Sequence, residues 1–529
     1  MKHTVLFAMT VVLLSSQAPA ADLKFLARTG DVPPGVGDGI VLTDFFFELT
    51  STGEAWGVGK FGTTDGVSLH PDSGLYYYNG TNLELVLRQG DVLSDGGVSQ
   101  AAVLFSSGDD DPELTHWPQS NGIALRLGGF PEGDDVDHGG YWTYEIDGGF
   151  HFHFNSDLVE TADQYIFTTP SIVTEAGWVL SESKFIGNDE ENVDAVWLTS
   201  PQGVTQLVGQ GYSPAPGAGE GAVFNVIVGG VDVSENGYAL IHGKATTDRT
   251  SPPLTADPYS LWKFNPNGAL TPIVVGDQTT TADGQHIFGS TFGGTINDSG
   301  SVLFRSVIQP NDLSGPPIDG VWLARDNQSI RQIVAVGDIL SDAPHGFSVS
   351  EINGDRALGS TDKVMLSVEL SDGNERRTAI AVDSGDGLEI VAMDQTPLTA
   401  DPSGLVLDEL LRYEMSDSGQ VFVLASLREG FGGIDTPNVV GLWGQDFDGE
   451  FSLLAKTGDL ITVPTGQELA ISTLSLHQVN DRGEALFSAV LADGSYVELI
   501  TTGVAVPEPS SWIAACLGLV LLSAIRVKP

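Results

Sequence analysis

The chain has 529 residues and carries 70 Asp+Glu against 23 Lys+Arg, a formal net charge of −47. A surface that acidic repels phosphate backbones and anionic lipid headgroups, which excludes nucleic acid as a partner and leaves neutral polysaccharide, divalent cations and cationic surfaces; the acid excess also suffices to keep a protein soluble in salty water. The one cysteine, Cys516, lies in an apolar run near the C-terminus, so the rest of the chain has no disulfide and no cysteine ligand and depends on packing.

In chain order, Lys2 and His3 precede the apolar run Val5 to Leu14, and Ala18-Pro19-Ala20 stands before Ala21. A charged start, an apolar middle and small residues at the cleavage position (Ala18, Ala20, Ala21) predict a secretory signal peptide over residues 1–20. Residues 21–505 then read as one repeat copied about eight times.

Polar turn formers followed by glycine recur at Thr50 to Gly53, Gln119 to Gly122, Thr174 to Gly177, Ser234 to Gly237, Asn297 to Gly300, Ser416 to Gly419 and Asn480 to Gly483. Ser360-Thr361-Asp362-Lys363 fills the remaining slot without glycine. Each precedes an apolar run such as Val302-Leu303-Phe304, the pattern of a short hairpin loop whose glycine supplies a positive φ.

A second marker recurs in phase at Gly30-Asp31, Gly90-Asp91, Ser156-Asp157, Gly211-Tyr212, Gly276-Asp277, Gly337-Asp338, Met393-Asp394 and Gly458-Asp459. A third lies between them at Tyr76, Trp142, Trp197, Trp262, Trp322, Ile380, Trp443 and Tyr496. Repeats of about 60 residues with three or four short strands each predict an all-β propeller of eight blades, with seven blades plus an insertion as the alternative. The chain opens on a last-strand sequence, Leu23 to Gly30, and the repeats finish on a next-to-last one, Tyr496 to Ile500. The N-terminal strand is therefore expected to complete the C-terminal blade, which removes exposed sheet edges.

Beyond the repeats, Val506-Pro507-Glu508-Pro509 leads into the apolar stretch Trp512 to Ile525 and then Arg526 and Lys528. A helix over that stretch rises roughly 21 Å, short of the ~30 Å hydrocarbon core, so it makes a transient membrane stop more readily than a permanent anchor. Pro507 and Pro509 hold the approach extended, and the terminal cations sit where positive charge stays cytoplasmic. Residues 506–529 resemble the PEP-CTERM sorting signal of Gram-negative bacteria. That resemblance implies processing by an exosortase partner during export, and a final location at the cell surface, outer membrane or extracellular matrix. Asn297 to Phe304 and Asn480 to Phe487 resemble the tandem NxxGxxAF repeats of bacterial surface proteins, a family without an assigned activity.

Few residues point to chemistry. Asp-Ser-Gly at 72–74, 298–300, 383–385 and 417–419 reads as turn chemistry, since no Gly-x-Ser-x-Gly elbow accompanies it. His151 and His153 share one strand face, near Asp137 and His138, but bring no third metal ligand. Asp109-Asp110-Asp111, Asp134, Asp135 and Asp137, and Asn188 to Glu191 offer oxygen donors for a structural calcium, as does Asp446 to Glu450, although none has EF-hand spacing. Solvated loop charge is the plainer reading, and no cofactor is expected. Tryptophans in the repeated slot are expected in the core, whereas Trp56, Trp117 and Trp178 lie outside it and are candidates for exposed rings, with core as the alternative for Trp56 and Trp178, which follow the hairpin.

The expectation is an exported, noncatalytic binding or scaffold module that engages extracellular polysaccharide or a surface protein. The alternative is a polysaccharide hydrolase or lyase whose acidic residues converge at the channel mouth.

Overall fold

Residues with alternating apolar character, cut by turn formers at regular intervals, cannot bury a face alone and must stack on their neighbours. The computed structural model shows how. It describes residues 23–501 apart from 38, 65–67, 96–97, 102–114, 120–121, 128–139, 147–148, 156–164, 187–191, 202–204, 212, 248–257, 312–314, 326–329, 399–404, 432–433, 435–437 and 447–448. The cleavage residues Ala18, Ala20 and Ala21 and the sorting residues Pro507, Glu508, Pro509, Arg526 and Lys528 lie outside the described residues.

The described residues form strands and no helix. Eight antiparallel sheets of four or five strands follow one another, with strands in chain order in all but the last, and a two-stranded ribbon, Val92–Asp95 with Val98–Ala101, accompanies them. Their first strands are Ile40–Leu49, Thr115–Gln119, Tyr165–Val173, Val223–Val233, His286–Ile296, Ser348–Leu358, Leu407–Met415 and Glu468–Val479, which define blades 1 to 8. In blade 8 the outer strand is Leu23–Arg28, paired antiparallel with Tyr496–Thr501 from Leu23↔Thr501 to Arg28↔Val497. The two ends of the repeat region thus share a blade, and the eight-blade reading holds over seven.

The core lies in the wedges between blades. One cluster joins Leu303, Val321 and Val334 of blade 5 to Val349, Leu366 and Ala381 of blade 6; another joins Phe422 and Leu442 of blade 7 to Leu476, Phe487 and Val497 of blade 8. The repeated aromatic slot fills these wedges: Trp142, Trp262, Trp322 and Trp443 are all buried, as are Tyr76 and Ile380. Trp56 is buried too, and Trp178 is covered by the hairpin of the next blade, so neither is an exposed ring. The side chain of Trp117 lies outside the described residues.

Each sequence marker has a mechanical role. In the blade 5 hairpin Gly300 N donates to Asn297 O at 2.9 Å and Asn297 N to Ser301 O at 3.1 Å, and Gly300 takes φ +75°. Such a three-residue loop closed by a left-handed residue matches the twist of the strands it joins. Asn297 Oδ1 accepts from Ser299 N and Ser301 N, while its Nδ2 donates to Gly359 O of blade 6 at 2.9 Å. Asn480 repeats this, with Nδ2 donating to Thr50 O of blade 1 at 3.1 Å.

Two hairpins depart from expectation. In blade 6 the loop is Gly359 to Asp362, and Asp362, at φ +63°, occupies the glycine position that the sequence pattern assigned to Lys363. Gly122 of blade 2 instead begins the second strand, paired with Gln119. The Asp-Ser-Gly copy at 72–74 is not a turn; it lies within Ser68–Tyr78.

The Gly-Asp marker stitches blade to blade. Gly337 N donates to Val349 O and Val349 N to Asp338 O, while Asp338 Oδ2 accepts from Ala335 N at 2.8 Å. Gly458 and Asp459 repeat the arrangement with Ile471 and Lys456.

Candidate functional site

First strands of blades 3 to 6 touch in succession, as do those of blades 7, 8 and 1, so they form the inner wall of the ring. These strands are irregular where their partners are not. Extra residues interrupt the pairing between Ile227 and Gly229, Thr291 and Gly294, Ile352 and Arg356, Leu410 and Arg412, and Leu476 and Gln478. A bulge leaves a residue out of the ladder, bends the strand and re-aims a side chain.

The result is a belt of solvent-exposed apolar side chains on the wall. Val228 (54% exposed), Phe292 (52%) and Leu411 (46%) all occupy bulges, and Phe46 (44%), opposite Val58, stands at the same height in blade 1. Its charged neighbours are mostly paired. Arg305 holds Asp319 through Nε at 3.0 Å to each carboxylate oxygen, Arg412 holds Glu414 at 2.9 Å, and the Tyr413 hydroxyl donates to Asp355 at 2.7 Å.

Toward the hairpin end, the second residues of the loops of blades 3, 4, 5, 7 and 8 reach to another blade. Glu175 accepts from Ser51 N at 2.9 Å and Ser51 Oγ at 2.6 Å, across two blades, and Glu235 accepts from Glu175 N at 2.9 Å. Asp298 accepts from Asn236 N at 3.3 Å and Asp481 from Ser418 N at 2.7 Å. The fifth acid, Asp417, accepts from Ser360 N through its main-chain oxygen at 2.8 Å. Burial, reinforced by Asp481, Asp298, Glu235 and Glu175, pushes the Asp417 carboxyl up to about 6. Carboxylates of five blades therefore crowd one mouth of the channel. Most are occupied in tying loop to loop, which explains their spacing as a latch between hairpins.

At the opposite end lie the connections between blades. Directly after the Gly-Asp turns, Val32, Val92, Ile339 and Leu460 stand out at four of these junctions, all more than half exposed. A cavity of about 390 Å³ opens beside blade 5, with Trp322, Ile308 and Ile318 as apolar lining and Asp283, Gln332 and Asp338 among the polar groups. Those polar groups satisfy one another or nearby backbone: Thr281 Oγ1 donates to Asp283 at 2.6 Å and Gln332 Nε2 to Asp338 at 3.1 Å.

A distinct buried group sits in the wedge where blade 8 meets blade 1. Glu498 is fully enclosed, accepts from the Tyr496 hydroxyl at 2.9 Å and lies 3.5 Å from His477 Nε2, while its Oε2 has no hydrogen-bond partner. Burial raises the Glu498 carboxyl to about 8 and lowers His477, the latter aided by Arg412, so both are neutral near pH 7. Sequence reading missed Glu498; a lone acid in the apolar run Tyr496 to Ile500 was the available signal.

Of the candidates read from sequence, His151 and His153 lie on strand Gly149–Asn155, but their side chains are outside the described residues. Asp109 to Asp111, Asp134, Asp135, Asp137, His138 and Asn188 to Glu191 are also outside them. Asp446 accepts from Glu450 N at 2.9 Å, closing a turn in which Gly449 has φ +88°. Among the described residues no group of three or more His, Cys, Asp or Glu is arranged to hold a metal ion. Ser299 and Ser418 hydrogen-bond within their own hairpins, to Asn297 and Ser416.

The model of a family of unknown function, DUF7453, matches residues 159–513, and the chain belongs to that family. No curated protein sequence matches it. Among solved structures, puromycin hydrolase is similar at 10% identity and a TM-score of 0.35, over 83% of this chain and 57% of that one. The β-propeller domain of the Trilobed protease from Pyrococcus furiosus is similar at 10% identity and a TM-score of 0.33, over 74% of this chain and 93% of that domain. Trypanosoma rangeli sialidase is similar at 12% identity and a TM-score of 0.24, over 68% of this chain and 56% of that one. The chain thus spans less than two thirds of the two enzymes, and TM-scores below 0.5 say nothing about its chemistry.

Proposed function

We propose that this DUF7453 protein is an exported, noncatalytic binding or scaffold module of the bacterial surface or extracellular matrix, whose channel engages polysaccharide. The observation that carries the reading is the wall belt of Phe46, Val228, Phe292 and Leu411, each close to half exposed on a strand whose other face is packed. Water-exposed apolar groups gathered at one level of a concave wall mark a ligand surface, and flat aromatic rings suit sugar faces. Delivery rests on the two terminal signals: a leader ending at Ala20 and an exosortase signal made of Pro507-Glu508-Pro509, the apolar segment and Arg526 with Lys528. Changing Pro507, Glu508 and Pro509 to alanine is expected to leave an uncut membrane-bound precursor; normal release removes the sorting reading.

The test of function is incubation of the full-length protein with the producing organism's extracellular polysaccharide, reading cosedimentation and polymer length. Cosedimentation without shortening is the expected result. A second reading, a polysaccharide hydrolase, is favoured by Asp417, a carboxyl held near 6 among four others and so suited to proton donation near neutral pH. Shortening of the polymer that disappears in Asp417→Asn replaces the binding reading with this one.

A further inference from the structure

In a chain with so large an acid excess, the notable groups on the channel wall are cations. Arg305 leaves the second strand of blade 5, Val302–Pro310, and Arg356 stands at the end of the bulge in the first strand of blade 6. Arg305 is balanced by Asp319. Arg356 is not: among the described residues its hydrogen bond goes to the main-chain oxygen of Phe292, at 3.3 Å. Burial and the nearby Arg305 guanidinium both hold the Arg356 pKa below its ordinary value, the mark of a cation short of a counterion.

The surroundings leave it an approach. Gly293, at φ +79°, has no side chain, and a Cβ there would stand 3.6 Å from Arg356 Nη2. The Phe292 ring projects into solvent, with the Arg305 guanidinium 5.9 Å from its centroid. The acids whose charge is felt at Arg305 are Asp319, already engaged, and Glu351, while Asp355, next to Arg356 in the bulge, accepts from the Tyr413 hydroxyl.

We infer that Arg356, with Arg305 and the exposed ring of Phe292, forms a subsite for a carboxylate-bearing sugar, a uronic acid residue of a glycan. A guanidinium fork matches the two oxygens of a carboxylate, and the ring offers its face to the pyranose. One uncompensated guanidinium beside Asp319 and Glu351 suits a single negative charge better than a dianionic phosphate. This inference rests on the polysaccharide reading and narrows it from any glycan to an acidic one.

The test is titration of the full-length protein with a cellouronate hexamer and with cellohexaose, which differ in the carboxylates alone. At about 0.15 M salt, which screens the repulsion from the chain's net negative charge beyond roughly 8 Å, the uronate is expected to bind at least tenfold more tightly. Arg356→Gln should lower its affinity about tenfold while leaving the neutral hexamer unchanged, and Phe292→Ala should weaken both. Arg356→Lys, which keeps charge but loses the fork, covers the case in which the glutamine variant melts early, and is expected to retain less than a third of the uronate affinity. Equal affinity for the two hexamers, or uronate binding indifferent to Arg356 substitution, overturns the subsite and leaves the polysaccharide reading standing. No binding of either hexamer, together with no cosedimentation of the native polymer, removes both.

Discussion

Replacing Glu498 by glutamine should stabilise the ring, by an amount that depends on pH. In the unfolded chain this carboxyl ionises near 4.5, whereas burial in the wedge between blades 8 and 1 keeps it protonated to about 8. An acid whose pKa rises on folding gives its full contribution below the unfolded value and loses it as pH climbs toward the folded one. Each unit of that climb is worth about 1.4 kcal/mol, so wild type forfeits about 3 kcal/mol by pH 7 and about 5 kcal/mol above pH 8. Glutamine keeps the shape and a hydrogen bond to the Tyr496 hydroxyl but never ionises. The groups facing the site are Tyr496, His477 and, across the strands, Ser488 and Ala27, with Arg412 and Asp44 farther off. His477, with its lowered pKa, acts in the opposite sense, costing stability as pH falls below about 6.5, but it is common to both proteins and cancels in the difference. Urea unfolding followed by tryptophan fluorescence at pH 5, 6, 7 and 8 should show the two proteins converging at pH 5 and diverging by about 3 kcal/mol at pH 7. In a melting scan that is roughly 3 °C for a ring of this size. Parallel pH dependences, or a glutamine variant less stable at pH 7, would refute the claim that this carboxyl is buried and neutral.

Three other perturbations address the ring itself. Gly237→Ala puts a Cβ 2.2 Å from the Trp178 indole at φ +79°, so it should cost at least 1–3 kcal/mol, measured by denaturant unfolding. Asn297→Ala removes the loop staple and the bond to Gly359 together and should cost about 2 kcal/mol; Asn297→Asp, which keeps the acceptor and loses the donor, should recover part of it. Deleting residues 23–28 strips blade 8 of its outer strand and should broaden the single thermal transition into several, whereas an unchanged melt by calorimetry would show that closure contributes nothing.

Most of the architecture was legible in the amino-acid order because each blade is built from local rules. Turn formers, glycine and alternating apolar residues act within a few positions of one another, and the phase of the two ends followed from which strand type came first and last. The same locality explains the error at Lys363: an aspartate can take the left-handed backbone that the pattern demanded of glycine, so the slot moved by one residue. What the order of residues did not disclose depends on contacts about sixty positions apart or more. Asp298, Asp417 and Asp481 look like ordinary turn acids until the ring brings them to one mouth, and Phe292 looks like core until a bulge turns it to solvent. Glu498 and Arg356 take their meaning from a wedge and a wall that exist only once blade packs against blade, because burial and missing counterions are properties of a neighbourhood, not of a sequence.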